Sequence, residues 1–370
     1  MEKFGIGQPV RRKEDPRLVA GRGRFVEDVD LPHQCHGAVL YSPHAHALIR
    51  RIDVAAALAS PGVLCVLTGG DVAAEKLGPL PTRLQPEALG PYPKAYRALR
   101  PILAIDRVRC VGDRVAFVVA ETAAQARDAV ELIEVDYETL PAVVNVEDAA
   151  REGASLVYED CPGNVAAHLW YGDEKATQAA FARAAHVVSI RLEANRISAN
   201  ALENRGSLGE YNALDETFTL YHSSQNPHGA RAMLAGDVFG IPETRMRVVT
   251  YDVGGGFGMK SAAYPEDALV LWASRRCGRP VKWIASRSEA LLGDRLLRAD
   301  ADYVRERTGF AIGGVAPVAH ATPPHVFLDE DLFAFDQVYA AAGTPFAIFA
   351  VSPADLERLT GGRRAALRKA

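Results

Sequence analysis

This 370-residue sequence lacks several features that would assign a protein to a functional class at once. No apolar run approaches the ~20 residues of a membrane-spanning helix, and the charged N-terminus has no apolar core of a secretory signal. Positive charge is not in excess, since the net charge is −4, and this argues against a nucleic-acid-binding surface. These absences favour a globular protein with no membrane association, for which we expect a cytoplasmic location.

Cysteine is scarce and shows no metal-binding spacing. The five cysteines are odd in number and scattered along the chain, at Cys35, Cys65, Cys110, Cys161 and Cys277. No two of them are spaced as in a zinc or iron–sulfur site. We therefore expect reduced thiols that pack as small hydrophobic side chains, and no metal site.

The first 145 residues alternate strand-like and helix-like stretches. Val63–Thr68 and Ala116–Ala120 are short apolar runs that predict buried strands. Thr122 followed by Gln125 fits a capping box at the start of a helix, in which each side chain satisfies a backbone N–H of the first turn. The proline- and glycine-rich stretch 78–93 predicts a loop or linker.

A second set of elements follows a predicted linker at 145–163. Alternating or apolar patterns predict strands at His186–Ala194, Thr217–His222, Arg245–Tyr251 and Val281–Ala285. Helical patterns cover Ala230–Val238 and Pro265–Cys277. In the second helix, proline in the first turn and Gly278 after the last turn are typical boundary residues.

The glycine loop, YDVGGGFGMKS at residues 251–261, carries four glycines within five residues between a predicted strand and a predicted helix. Bare backbone lets a ligand approach closely, and N–H groups at a helix N-terminus favour an anion. A tight turn without a ligand needs only one or two glycines. The loop is therefore the main candidate for a binding site.

Several interpretations of the glycine loop remain open from its residues alone. A P-loop fits Gly254, Lys260 and Ser261, but Met259 stands where that motif has a glycine. A dinucleotide fingerprint fits Gly254 and Gly256 and also fails at Met259. The third interpretation is a backbone cradle for another anionic or oxo-bearing cofactor, and the fourth is a plain turn.

Histidine side chains can serve as acid–base or metal-binding groups. His44 and His46 are two residues apart and would share one face of a strand, while His222 and His228 flank Gln225. We expect structural or surface roles for His44 and His46, and packing or hydrogen bonding near the pocket for His222 and His228. No Ser/His/Asp arrangement is found, so no catalytic residue is assigned.

Longer motifs around the glycine loop carry a family resemblance. GGGFG, with SSQNPH at 223–228 and RSEALL at 287–292, resembles the large, molybdopterin-binding subunit of the molybdenum hydroxylases. That family comprises xanthine dehydrogenase, aldehyde oxidase and aerobic carbon monoxide dehydrogenase. RCVGDRVAFVVA at 109–120 resembles its a/b hammerhead domain. The similarity runs nearly without gaps from about Phe4 to Asp294.

The resemblance implies a molybdenum–molybdopterin cofactor of the cytosine dinucleotide type. Gln225 matches a glutamine that hydrogen-bonds an oxygen ligand of the metal in a closed pocket. Gly255, Gly256, Phe257 and Gly258 match the loop whose backbone amides lie against those oxygens and the pterin. The resemblance also implies a small-molecule substrate, which is hydroxylated with water. It further implies an iron–sulfur small subunit and a FAD medium subunit as partners.

Three positions depart from the family pattern or vary within it. Arg114 stands where the family has a proline in VGEPVA, and Asn204 replaces the proline of MEPRG. We expect Asn204 to loosen a turn near the pocket. Lys260 occupies a variable loop position, and we expect a solvated surface lysine there.

The sequence after about residue 295 resembles a different family. GFAIGGVAPVAH at 309–320 is similar to the C-terminal part of the YbaK, or prolyl-tRNA-editing, family of hydrolases, with Ala319 in place of the usual glycine. Gly313–Pro317 matches that family's substrate-site loop, but the half of the fold with its usual catalytic lysine is not matched. Predicted elements are strands at Val326–Leu328 and Phe346–Phe349 and a helix at Pro353–Thr360, capped by Ser352 and closed by Gly361.

The expected fold is α+β in three parts. Residues 1–145 are predicted to form an a/b hammerhead domain, 146–294 a truncated first molybdopterin-cofactor-binding domain, and 295–370 a partial YbaK-like α/β tail. The resemblance implies that the base glutamate of the family lies in a second cofactor domain, which we expect to be missing. The leading hypothesis is a molybdenum hydroxylase-type oxidoreductase subunit that is inactive alone. The alternatives are an aminoacyl-tRNA deacylase acting on tRNA, and a non-catalytic fusion or pseudogene product.

Overall fold

The computed structural model describes residues 12–82, 96–167, 172–189, 198–293, 327–341 and 348–365. The chain divides into two compact units. The first unit contains the described residues up to 293, except Ser198–Ala199 and Phe257–Met259. The second unit consists of these two short segments and the described residues from 327 onward. Within the described ranges, every helix is too short or too polar to cross a bilayer.

Twelve strands form the sheets of the first unit. They are β1 Cys35–Tyr41, β2 Ala47–Asp53, β3 Val63–Thr68, β4 Leu80–Pro81, β5 Leu99–Arg100, β6 Arg107–Val108, β7 Arg114–Ala120, β8 Glu134–Thr139, β9 Gly206–Asn212, β10 Thr217–His222, β11 Met246–Val249 and β12 Val281–Ile284. The main sheet has seven strands in the order β11-β10-β9-β12-β1-β7-β3. Strands β6, β2 and β8 form a second sheet, and β4 pairs with β5.

The helices of the first unit are mostly short. They are α1 Asp15–Val19, α2 Ala55–Leu58, α3 Gly69–Ala74, α4 Ala123–Val130, α5 Val146–Ala149, α6 Glu174–Arg183, α7 Pro227–Met233, α8 Pro265–Cys277 and α9 Arg287–Gly293. A π-helical turn, Leu234–Phe239, continues α7 and ends at Gly240, which is left-handed. Helices beside a sheet with both parallel and antiparallel pairs confirm the predicted α+β class.

The main sheet joins the two predicted domains of the first unit. Strand β1 pairs in parallel with β12, with Cys35 opposite Val281, and pairs on its other side with β7 in antiparallel register. A single hydrophobic core accordingly contains Phe117 from the first 145 residues and Trp272 and Trp283 from the region after them. The first two parts of the chain therefore fold as one unit around one sheet.

Helix α8 has the bounds expected from its sequence. Pro265 stands in its first turn, and Gly278 adopts the left-handed conformation that ends it. Every residue from Pro265 to Ser274 is buried, including two acidic ones. A helix buried this completely needs partners for each of its charged groups.

Gly209 lets α8 approach the main sheet closely. A Cβ atom at Gly209, in β9, would lie 2.6 Å from the backbone carbonyl carbon of Val270 and 2.7 Å from the backbone nitrogen of Leu271. Because both contacts are with backbone atoms, no side-chain rotation could relieve them. The absence of a side chain at this position therefore fixes the distance between helix and sheet.

Other sequence predictions are confirmed or need adjustment. The strands at Val63–Thr68 and Thr217–His222 are confirmed, as is the helix after Thr122, whose hydroxyl accepts from the backbone N–H of Gln125. The helix expected at Ala230–Val238 begins three residues earlier, because Asn226 caps it and Pro227 occupies its first turn. The predicted loop at 78–93 contains the short strand β4, which pairs with β5.

One prediction was wrong over the residues described, and one predicted linker holds a short helix that the sequence did not predict. The strand predicted at His186–Ala194 is absent from its described part, 186–189, and the rest lies outside the described residues. The predicted linker at 145–163 contains helix α5, which Asn145 caps by accepting from the backbone N–H of Glu147. Local alternation predicted a strand but could not supply the neighbouring strand that a ladder requires.

The second unit has its own small core. Strands β13 Phe327–Asp329 and β16 Arg363–Ala365 pair in parallel, and β14 Val338–Ala341 pairs with β15 Ile348–Val351 in antiparallel register. Helix α10, Pro353–Thr360, has the predicted bounds, with Ser352 as its cap and left-handed Gly361 at its end. Leu328, Val351 and Leu356 form the core. The predicted loop at 313–317 lies outside the described residues.

Gly209→Ala is expected to destabilise the first unit by about 1–3 kcal/mol, because the added methyl group overpacks two backbones that cannot separate locally. The matched control is Gly236→Ala, where a Cβ atom would meet nothing within 4 Å. Urea unfolding followed by tryptophan fluorescence measures both variants. Equal stability of the two variants would show that the α8–β9 contact tolerates a side chain.

Candidate functional site

The backbone of the glycine loop adopts positive φ angles at three of its residues. Gly255 and Gly258 have φ angles of 103° and 84°, and Phe257 has a φ of 48°. The first two values lie in the region that favours glycine, whereas a phenylalanine at positive φ is uncommon and strained. The loop therefore uses its glycines for conformation as well as for bare backbone.

Gln225 lies directly beside the loop, in the segment that connects strand β10 to helix α7. Its backbone N–H donates to the carbonyl oxygen of Lys260 at 2.8 Å, and its Oε1 accepts from the backbone N–H of Lys260 at 3.3 Å. A Cβ atom at Gly256 would lie 2.3 Å from Cδ of Gln225. The structure therefore brings together two of the residues expected at the site, Gln225 and Gly256, although they are far apart in sequence.

Phe257 and Gly258 are grouped with the second unit, as is Met259. The side chain of Phe257 is exposed, and so is that of Gln225. A closed pocket around Gln225 was expected from the sequence, and the described residues do not form one. The site in these residues is an open cradle of backbone with an amide side chain beside it.

Lys260 is buried, so the expectation of a solvated surface lysine was wrong. Its residue is 2% exposed, and its Nζ donates to Oε2 of Glu203 at 2.7 Å and to the carbonyl oxygen of Glu203 at 3.0 Å. A buried ammonium group requires such a partner. Because the ammonium group is directed at Glu203, it is not placed to bind phosphate, and the P-loop interpretation loses its central residue.

Glu203 fastens the loop at two of its residues and also binds Ser223, two residues before Gln225. Its Oε2 accepts from Lys260, from the backbone N–H of Gly254 at 2.7 Å and from Oγ of Ser223 at 2.6 Å. Its other carboxylate oxygen is buried without a hydrogen-bond partner. Sequence reasoning missed this residue, although it stands beside Asn204 in the motif LENRG.

Asn204 and Arg114, the two departures from the family pattern, both have partners. The amide nitrogen of Asn204 donates to the carbonyl oxygen of Ala285 at 2.9 Å, so the turn that we expected to be loosened is held. Arg114 donates through Nε and Nη2 to Oε1 of Glu266, at 2.9 and 2.7 Å. The arginine that replaces a proline thus links β7 to helix α8.

Glu266 is the centre of a fully buried charge network. Its Oε2 accepts from Arg205 at 3.2 Å, and its Oε1 also accepts from the hydroxyl of Tyr41 at 3.2 Å. Burial acts to raise the pKa of Glu266, but the charges of Arg114 and Arg205 outweigh burial and lower that pKa to about 2. The carboxylate is therefore ionised at neutral pH, and its single negative charge interacts with both arginines.

Asp267, next to Glu266, holds the preceding loop and a buried histidine. Its Oδ2 accepts from the backbone N–H of Tyr264 at 2.8 Å, and its Oδ1 accepts from Ser207 and contacts Nδ1 of His222 at 3.3 Å. Burial acts to raise the pKa of Asp267, and the interaction with His222 contributes most to the net lowering. His222 therefore has a structural partner, as expected, whereas His228 is exposed.

His44 and His46 make structural contacts. The ring of His44 packs edge-on against Tyr137 with centroids 4.8 Å apart, and Nδ1 of His46 lies 2.9 Å from the carbonyl oxygen of Pro141. Within the part of the chain that the structure describes, no group of three or more His, Cys, Asp and Glu side chains could hold a metal ion.

The described residues fit an oxo-bearing, anionic cofactor better than a phosphate bound through lysine. Gly256 presents bare backbone, and any side chain there would displace Gln225. Gln225 supplies a neutral amide, and the Lys260–Glu203 pair holds the loop without adding net charge. This arrangement can orient oxygen atoms of a ligand through hydrogen bonds, but it contains no assigned acid or base.

The ion pair between Lys260 and Glu203 generates a double-mutant prediction. Lys260→Met and Glu203→Gln are each expected to destabilise the first unit by about 3–5 kcal/mol, because each leaves the other group buried without its partner. The double variant should lose less than the sum of the two. Urea unfolding gives the four stabilities, and strictly additive losses would show that the two side chains do not interact.

Three family models match the chain. Residues 20–141 match the "Aldehyde oxidase and xanthine dehydrogenase, a/b hammerhead domain", and residues 157–299 match the "Molybdopterin cofactor-binding domain". Residues 287–359 match the "Aminoacyl-tRNA editing domain". The first two matches adjoin in the unit that contains the glycine loop.

Similar proteins agree with the first two matches. The chain is 35% identical to the carbon monoxide dehydrogenase large chain of Hydrogenophaga pseudoflava, over 75% of this chain and 34% of that protein. It is 36% identical to the nicotine 6-hydroxylase large subunit of Paenarthrobacter nicotinovorans, over 78% of this chain and 34% of that protein.

The chain is also similar to the solved structure of quinoline 2-oxidoreductase from Pseudomonas putida 86, with 39% sequence identity and a TM-score of 0.70. The match covers 80% of this chain and 37% of the quinoline 2-oxidoreductase chain. This chain thus spans about a third of the length of these relatives. It belongs to the molybdopterin-binding large-subunit family of the molybdenum hydroxylases over the regions 20–141 and 157–299, and carries a stretch of the aminoacyl-tRNA editing family after them.

Proposed function

We propose that the glycine loop and Gln225 hold the molybdenum–molybdopterin cofactor of a hydroxylase-type oxidoreductase subunit. The observation that carries this proposal is the contact between Gly256 and Gln225, because it places an amide side chain against bare backbone within the molybdopterin cofactor-binding match. Gly255, Phe257 and Gly258 complete the proposed cofactor-binding set. The cytosine dinucleotide form of the cofactor belongs to the proposal as well.

When bound, the cofactor supplies two-electron oxidation of a substrate carbon with oxygen from water. The chain's own residues bind and orient it. The Gln225 amide would hydrogen-bond an oxygen atom of the bound cofactor, and backbone N–H groups of the loop would donate to others. Glu203 keeps the loop in place because its carboxylate accepts from the backbone N–H of Gly254 and from the ammonium group of Lys260.

Electron transfer then requires partners. We propose an iron–sulfur subunit and a FAD subunit, because no described side-chain group here could ligate a cluster. Two relatives are named as a large chain and a large subunit, which supports a role as one subunit of a larger assembly. A small-molecule substrate and a cytoplasmic location are further parts of the proposal.

We further propose that these 370 residues do not turn over substrate alone and retain the cofactor weakly. The molybdopterin match ends at residue 299, after the editing match has begun at 287. The side chain of Gln225 is exposed, so the residues that the structure describes leave one side of the cradle open. The domain boundaries at 145 and 294 remain part of the same proposal.

Gly256→Ala tests the cradle directly. The chain and the variant are expressed in a host that makes the molybdopterin cytosine dinucleotide cofactor, and molybdenum and pterin per chain are measured after rapid purification. The added methyl group should displace Gln225 and lower retention about 10- to 100-fold, which corresponds to loss of a hydrogen bond to a charged group.

Gly236→Ala is the control for this test, because its Cβ atom meets nothing and it lies outside the loop. Circular dichroism checks that both variants are folded. Retention of the cofactor by Gly256→Ala at the level of the control would remove the loop from the proposed site. Absence of molybdenum and pterin from the unaltered chain would overturn the proposed binding itself.

A second candidate function rests on the match of residues 287–359 to the aminoacyl-tRNA editing domain. We expect at most weak release of the amino acid from a proline-specific tRNA that carries a wrong amino acid. The reason is that the half of that fold with the family's lysine is not matched. Acid-precipitable radioactivity of the mischarged tRNA measures the release. Rapid release, absent from a chain that ends before residue 287, would favour the editing function instead.

A further inference from the structure

Two cysteines that are 212 residues apart in sequence meet in the first unit. Sγ of Cys65, in strand β3, lies 3.2 Å from Sγ of Cys277, the last residue of helix α8. Both are free thiols and partly exposed. Cys65 falls within the hammerhead match and Cys277 within the molybdopterin cofactor-binding match. The pair therefore spans the two matched regions.

The hydrogen bond from Cys65 and the charges of two arginines favour the thiolate of Cys277. Hydrogen bonding from Cys65 is the main cause that lowers the pKa of Cys277, and Arg276 and Arg279 lower it further against the opposing effect of burial. The same hydrogen bond and burial raise the pKa of Cys65. We expect Cys277, which has the two arginines beside it, to be the sulfur that attacks first.

Arg276 and Arg279 are held near Cys277 by acidic partners. Arg276 pairs with Glu75 at 3.0 Å, and Arg279 forms two hydrogen bonds to the carboxylate of Glu121, at 2.7 and 2.8 Å. These pairs connect the end of α8 to segments of the first 145 residues. They hold the Cys277 side of the thiol pair against the strand that carries Cys65.

We propose that Cys65 and Cys277 form a redox modification site. A small-molecule disulfide such as oxidised glutathione oxidises the two thiols, and a reversible disulfide bond forms between Cys65 and Cys277. The sulfur atoms need to approach by about 1 Å to reach bonding distance. The bond would tie strand β3 to the end of helix α8. Cys35, buried on β1, is the nearby thiol that the proposal excludes from the bond.

The reaction balances with oxidised glutathione as the oxidant. The Cys277 thiolate attacks one sulfur of glutathione disulfide, the glutathione S–S bond breaks, and one glutathione thiolate leaves. Cys65 then loses its proton to that thiolate or to water and attacks the sulfur of Cys277. The mixed disulfide breaks, the Cys65–Cys277 bond forms, and the second glutathione leaves. Two protein thiols are oxidised and one glutathione disulfide is reduced to two thiols.

The bond closes a long loop of chain and should stabilise the oxidised form. Cross-linking residues so distant in sequence removes much of the freedom of the unfolded chain, although the size of the effect depends on native-state strain. We expect the midpoint of thermal unfolding to rise by roughly 5–10 °C. Reduction with dithiothreitol should reverse the rise.

The test uses the full chain, reduced and then incubated with oxidised glutathione. Thiol titration in denaturant should fall from the five cysteines of the sequence to three. Peptide mapping by mass spectrometry without reduction should recover the peptides of Cys65 and Cys277 as one linked species. Thermal unfolding of the same samples measures the stabilisation.

Cys161→Ser is the matched control, because the sulfur of Cys161 donates to the carbonyl oxygen of Val165 and a serine hydroxyl can make the same hydrogen bond. This variant should still lose two thiols. Cys65→Ala and Cys277→Ala should abolish both the linked species and the rise in melting temperature. A link between Cys35 and Cys277, a stable glutathione adduct on Cys277, or five remaining thiols in the folded chain would each overturn the proposal. The thiol count is read without cofactor, so this test is independent of the proposed molybdopterin site.

Discussion

The buried carboxylate of Glu266 is the interaction on which the first unit depends. It lies in the first turn of α8, is fully buried, and accepts from Arg114 on β7 and from Arg205 just before β9. Removing one member of such a network leaves an uncompensated charge in the interior, so the three side chains must be placed together. The network fixes the N-terminal end of α8 against strands from both matched regions.

The glycine loop takes its position from the same helix. Asp267, the next residue of α8, accepts from the backbone N–H of Tyr264 and so fixes the chain between the loop and the helix. Lys260 and Glu203 fasten the loop itself, and the backbone of Lys260 exchanges hydrogen bonds with Gln225. Rigid neighbours thus orient a loop whose glycines would otherwise leave it conformationally free.

Sequence patterns predicted elements well where the boundary signals were local. Helices Pro265–Cys277 and Pro353–Thr360 have their predicted bounds, because proline in the first turn and a left-handed glycine after the last turn act within a few residues. The strand prediction at His186–Ala194 failed over its described part, because alternation specifies no pairing partner. The division of the chain at residue 145 likewise did not predict that strands from both sides of this boundary form one seven-stranded sheet.

The sequence by itself determined the family and located the glycine loop, because both rest on contiguous motifs whose residue types carry the signal. It predicted Gln225 as a site residue only through the family resemblance. Only the tertiary structure decided that Lys260 is buried on Glu203, that Arg114 pairs with Glu266 and that Cys65 meets Cys277. Those partners are 57, 152 and 212 residues apart. Contacts of that separation follow from strand order and helix packing, and no local pattern of charge or hydrophobicity encodes them.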